Sequence, residues 1–308
     1  CLSRGLGDVY KRQVLLIILG YVLKRINILK EEDSQVLAKL VLNVTLPALV
    51  IVNLNKADLD ISLSVLPLMM IIYGIIAKII AISFFLKYDN EMRGTIGMMM
   101  ASLNIGLFAY PLVQAIWPKV GMIYFGMADI GGAIIMFGVT YFVGNYFSNA
   151  EGNTFNVKFL LLNLVRSIPL MTYLIMFGLN MSKIHLPDAM IRFFDVVSQA
   201  NMPLSMILLG LMLNFRVERK FLPVALKYLT VHYGFGLVAG LLVYFFLPVS
   251  DQMIKTTLMV IWLLPIGVAV IPYSIQLRYR TLPLIGMTTN MTIIISIFIL
   301  YFYQMFFV

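Results

Sequence analysis

Cysteine is almost missing. Cys1 is the single cysteine in 308 residues; beyond it the chain has no thiolate nucleophile, disulfide or cysteine metal ligand. Charge is scarce as well, at 12% of residues, with 14 acidic side chains and two histidines. The DDxxD run of membrane prenyltransferases is absent, as are GxSxG, HExxH and the paired aspartates of intramembrane proteases. GxxxxGK[ST] is absent too, so no ATP hydrolysis is encoded. The sequence points to no enzyme, cofactor or metal site. A net charge of +9 without a basic–aromatic patch speaks against nucleic acid as a partner.

Apolar residues are what the chain has in excess. They make up 61% of it, and the mean hydropathy is +0.94, far outside a soluble composition. The expected fold class is an all-α polytopic membrane protein. Ten apolar segments lie near 14–28, 35–54, 62–86, 93–117, 121–147, 157–180, 189–213, 221–247, 253–276 and 281–306. Most reach the ~20 residues that a span requires. The connections near 24–30, 87–93, 158–166, 216–227 and 278–280 hold thirteen Lys and Arg, and the alternate ones five. That bias sets the first group in the cytoplasm and both termini outside, in a cell inner (plasma) membrane. An odd number of spans per half inverts the second half. The expected domains are a first five-helix repeat at 14–147, a short cytoplasmic link at 148–156 and a second five-helix repeat at 157–308. Residues 1–13 are read apart from the fold. Their stretch DVYKRQ matches one translated frame of a transposon-end sequencing adapter, which would leave the first helix truncated.

Two spans carry interruptions. Residues 101–117, ASLNIGLFAYPLVQAIW, contain Asn104, Gly106 and Pro111; residues 263–277, LLPIGVAVIPYSIQL, contain Pro265, Gly267 and Pro272. An unpaired backbone group in lipid costs several kcal/mol, so a broken helix persists only against protein or a watery cavity. Paired interruptions in corresponding halves point to a transporter binding site. The second and seventh segments correspond in the same way, with Asn43 and Pro47 in one and Asn201 and Pro203 in the other. Asn104, Gly106, Pro111, Pro265, Gly267, Pro272, Asn43 and Asn201 are therefore the candidate substrate-binding residues. An asparagine amide offers both donor and acceptor, and half-helix N-termini suit a carboxylate.

Single polar residues at membrane depth add to this. Lys78 needs a partner or water; it is a candidate for attracting an anion or for standing as a fixed ammonium. Asp129 is a candidate for proton coupling or for pairing with Lys78. His232 reads as packing or a structural hydrogen bond. Arg166 and Asp195 read as interfacial, and Gln276, Tyr273, Thr289 and Asn290 as polar residues of the last two spans.

LVLNVTLPALV, LNIGLFAYPL, QANMPLSMILLGLML and LLPIGVAVIPYSIQLRY resemble, in order, motifs of the second, fourth, seventh and ninth helices of the auxin efflux carrier family. Bacterial malate and malonate permease-like proteins are among its members. The resemblance covers residues 14–306. It implies ten transmembrane helices in two inverted five-helix repeats, a scaffold part and a transport part, and broken helices crossing near the midplane. Sodium–bile-acid symporters and sodium–proton antiporters share this layout. Leu103 stands where plant carriers have proline, and Gly267-Val268-Ala269 follow Pro265 where bacterial members often have an asparagine, which argues against auxin. The function implied is a secondary transporter of a small organic anion such as a dicarboxylate, coupled to H+ or Na+. A sodium-coupled symporter of the bile-acid type and a membrane ligand sensor are the other readings. A homodimer stays open.

Overall fold

The computed structural model describes residues 2–57, 60–117, 120–148, 157–214 and 217–307. In chain order its helices are α1 (Leu2–Arg25), α2 (Asp33–Leu40), α3 (Leu46–Leu54), α4 (Val65–Phe84), α5 (Asn90–Met99), α6 (Tyr110–Ile116), α7 (Val120–Ala133) and α8 (Thr140–Phe147). Then come α9 (Val157–Arg166), α10 (Ile168–Met181), α11 (Asp188–Gln199), α12 (Asn201–Met212), α13 (Leu222–Phe246), α14 (Gln252–Ile261), α15 (Val270–Gln276) and α16 (Leu282–Phe307). Among the described residues no strand forms; the extended pairing is an isolated antiparallel bridge between Leu103 and Ile266. Six helical stretches are long and apolar enough to cross a membrane: Asp33–Leu54, Ile61–Phe84, Val120–Phe147, Asp188–Met212, Arg219–Phe246 and Leu282–Tyr303. Shorter apolar helices occupy Ile105–Gln114, Ile168–Met181 and Gln252–Ile261. The protein is thus all-helical and polytopic. The interrupted segments are split into pieces too short to span alone.

Proline position explains two local distortions. A wide π turn, Val41–Thr45, leads into α3, and another, Ile105–Ala109, leads into α6. Pro47 and Pro111 each sit in the first turn of the α-helix that follows. The Leu46 N–H donates to Val41 O and the Tyr110 N–H to Ile105 O, both i→i−5 bonds. A proline ring clashes with the carbonyl four residues back, and one turn of π-helix moves that carbonyl aside. Pro111 therefore does not break its helix, against the expectation from sequence. The chain is helical on both sides of it, and the break lies earlier, between Met99 and Ile105. There Ala101 adopts φ 55, a left-handed conformation that costs a residue with a Cβ roughly 1–2 kcal/mol.

Close helix packing holds α1 against α12. A Cβ at Gly20 would strike the Ile207 carbonyl, and one at Gly210 the Ile17 carbonyl. The two backbones touch only because glycine stands at both points. The helix α1 is continuous from Leu2 through the junction at Gln13. Gln13 is buried, and its Nε2 donates to Pro111 O at 3.2 Å. Trp262, just past α14, stacks on Tyr73 of α4 with centroids 4.4 Å apart and planes 9° from parallel.

Candidate functional site

Both interrupted segments leave backbone groups that no helix satisfies, and each finds a specific partner. In the first, the Lys78 ammonium donates to Gly97 O at 2.9 Å, to Met100 O at 2.6 Å and to Ser102 Oγ at 3.2 Å. Three acceptors match its three N–H donors. Lys78 is 1% exposed, so the charge sits at the C-terminal end of α5, where it offsets the helix dipole. In the second, His232 of α13 donates from Nε2 to Leu264 O at 3.1 Å. Ser296 Oγ of α16 donates to Leu263 O at 2.7 Å, and the Ile266 N–H donates to Thr292 Oγ1 at 3.2 Å. His232 does for the second break what Lys78 does for the first.

The remaining groups pair with one another. The Asn104 N–H donates to Pro265 O at 2.8 Å, and the Gly267 N–H to Ser102 O at 2.6 Å. The two extended segments thus meet as a minimal antiparallel ladder deep inside a helical protein. Gly267 is needed at this contact. A Cβ there would lie 3.2 Å from Leu103 O and 3.3 Å from Ser102 O, and would collide with Met136 Cε.

Beside the ladder lies a cavity of about 440 Å³. Of the residues expected from sequence, Asn104, Gly106, Gly267, Pro272, Asn43 and Asp129 line it. Asn104 is 4% exposed. Its Oδ1 accepts from the Leu107 N–H at 3.3 Å, which fixes the amide orientation, and its Nδ2 has no partner among the described residues. Asp129 is half-buried and accepts at Oδ2 from the Tyr110 hydroxyl at 2.8 Å. The Tyr110 ring in turn stacks on Tyr173 of α10, centroids 5.9 Å apart.

The other expected residues lie off the cavity. Pro265 and Pro111 serve through their carbonyls, the first to Asn104 and the second to Gln13. Asn201 is fully buried and accepts from Thr45 Oγ1 at 2.9 Å, joining α12 to the π turn before α3. Lys78 and Asp129 are not brought together, since each is taken up by a different partner. Arg166, Gln276 and Tyr173 line the cavity although the sequence marked none of them as binding candidates. The signal for Arg166 was present in RSIP at 166–169, since serine followed by proline in the first turn is a helix start. A second helix therefore begins inside what reads as one span.

Comparison with known proteins points to membrane transport. Residues 13–279 match the family model described as membrane transport protein. An uncharacterized transporter of Methanothermobacter thermautotrophicus is 30% identical over 211 residues, covering 67% of each chain. An uncharacterized transporter of Methanocaldococcus jannaschii is 26% identical over 219 residues, covering 67% of this chain and 68% of its own. The match extends over both interrupted segments and the cavity they border. The chain belongs to the membrane transport protein family, that of the auxin efflux carriers, and is a multi-pass membrane transporter.

Proposed function

We propose that the protein is a secondary active transporter that moves a small organic anion, a carboxylate, by alternating access. In this reading ten spans form two inverted five-helix repeats in the cell's plasma membrane, with both termini outside and the two broken helices crossing at the substrate site. The observation that carries it is the cavity beside the Asn104–Pro265 and Gly267–Ser102 hydrogen bonds. Irregular backbone at membrane depth is tolerated where it borders a cavity. The unpartnered Nδ2 of Asn104 supplies a donor for a substrate oxygen. The helical run that starts at Ile105 turns its positive end toward the same space.

Coupling to protons through Asp129 fits better than coupling to sodium. Asp129 is the carboxylate among the described residues that line the cavity, and its second oxygen is free of the Tyr110 bond. A sodium ion would need oxygen ligands, and the carbonyls of Gly97 and Met100 are already taken by Lys78. The test is accumulation of labelled malonate and lactate in proteoliposomes under an imposed pH gradient, with sodium replaced by choline. Accumulation that follows the pH gradient supports the reading. Dependence on sodium favours the bile-acid type of symport, and binding without flux favours a ligand sensor.

A further inference from the structure

A third helix interruption opens on the same cavity. Arg166 ends α9, Ser167 accepts from the Leu170 N–H at 3.5 Å, and α10 starts at Ile168 with Pro169 in its first turn. Arg166, Ser167 and Pro169 all line the cavity. The helix α10 has 14 residues, long enough for its N-terminus to carry a partial positive charge. The Arg166 side chain is exposed, and among the described residues no ion pair reaches it. Asn104 lines the same space, 4% exposed, with its amide Nδ2 unpartnered. Arg166, the first turn of α10 and Asn104 thus border one cavity.

Charge arithmetic narrows the ligand. Arg166 is the one Lys or Arg among the described lining residues, and Asp129 the one carboxylate. With the coupling proton on Asp129, the lining carries one positive charge, that of Arg166, and one ionised carboxylate on the ligand neutralises it. A second would have no cation left to offset it.

We propose that Arg166, backed by the first turn of α10, binds a single carboxylate of the substrate, so that the cavity takes a monoanion whose other oxygen accepts from Asn104. This rests on the organic-anion reading above. Lactate fits as it stands, and malonate binds in its half-protonated form. A guanidinium suits the task because its fork of N–H donors matches a carboxylate bidentately.

Two substitutions test it in proteoliposomes of the full chain, with labelled lactate as probe. On a Cys1→Ser background, Arg166→Cys raises KM about tenfold or more, the loss of one charge-assisted contact, with kcat changed less than kcat/KM. Modification of the new thiol with a cationic aminoethyl methanethiosulfonate lowers KM again, and the anionic sulfonatoethyl reagent leaves it high. Arg166→Lys keeps the charge and stays nearer the wild type than Arg166→Gln. An unchanged KM in Arg166→Cys overturns the proposal, as does a loss that both reagents restore equally or that neither restores. If Arg166→Cys is unstable, the Lys and Gln pair decides by the same ordering of KM. Absence of lactate and malonate uptake in the wild-type protein overturns the carboxylate reading itself, which separates the two failures.

Discussion

The Gly267 N–H donates to the Ser102 carbonyl at 2.6 Å, joining two chain segments more than half the protein apart in sequence. That bond places a glycine where a Cβ would press on two carbonyl oxygens and a methionine methyl. Gly267→Ala should destabilise the fold by about 1–3 kcal/mol, as overpacking does, and slow uptake further by prising the segments apart. A melting curve identical to wild type would show that the contact is slacker than described.

Lys78 closes the open end of α5 with three hydrogen bonds. Lys78→Met fills similar space but leaves the Gly97 and Met100 carbonyls without a partner. The expected cost is about 1–3 kcal/mol for each buried group left unsatisfied, read as a lower melting temperature in detergent. Full stability in Lys78→Met would mean that water or a neighbouring side chain serves equally well.

Asp129 is the acid through which coupling would run. Accumulation by the wild-type protein should grow when the proton gradient drives a proton inward alongside the anion. Asp129→Asn keeps the acceptor for the Tyr110 hydroxyl but cannot load a proton, so accumulation should no longer respond to the gradient while exchange at equilibrium persists. An unaltered response in the Asn variant removes Asp129 from the coupling step.

Asn104 carries two duties that separate experimentally. Its backbone N–H holds Pro265, and its side chain caps Leu107 through Oδ1 while Nδ2 has no partner among the described residues. Asn104→Asp retains the cap and exchanges the donor for a negative charge. The expectation is a melting temperature near wild type with anion uptake lost. Asn104→Ala removes the cap as well and should cost about 1 kcal/mol in addition to uptake. Normal uptake by both variants would move the substrate elsewhere.

Much of the fold was readable because membrane helices announce themselves by composition. The apolar segments near 35–54, 62–86, 121–147 and 189–213 agree with long helices within a few residues. The interruption near Pro265 and Gly267 was also legible, since proline and glycine act on their own immediate backbone. In the first interruption the sequence points to Asn104, Gly106 and Pro111, and the break falls at Asn104 but not at Pro111; it is held by residues far away, Lys78 drawing the carbonyls of Gly97 and Met100, and Pro265 accepting from Asn104. Such pairings depend on which helices become neighbours, and local patterning does not encode that. Arg166 reads as interfacial in the sequence for a related reason. A basic residue at a span end usually faces the interface, and only the packing of α10 beside α6 and α7 brings its surroundings into the cavity wall.

The ammonium of Lys78 has a consequence for how the site depends on its surroundings. Were the carbonyls of a broken helix held by a dissolved cation, the site would be only part-assembled until that ion arrived. Here the cation is written into the chain and arrives with the fold. The pocket should stand fully assembled in salt-free medium, and substrate affinity should follow the occupancy of its own groups rather than the ionic make-up of the bath.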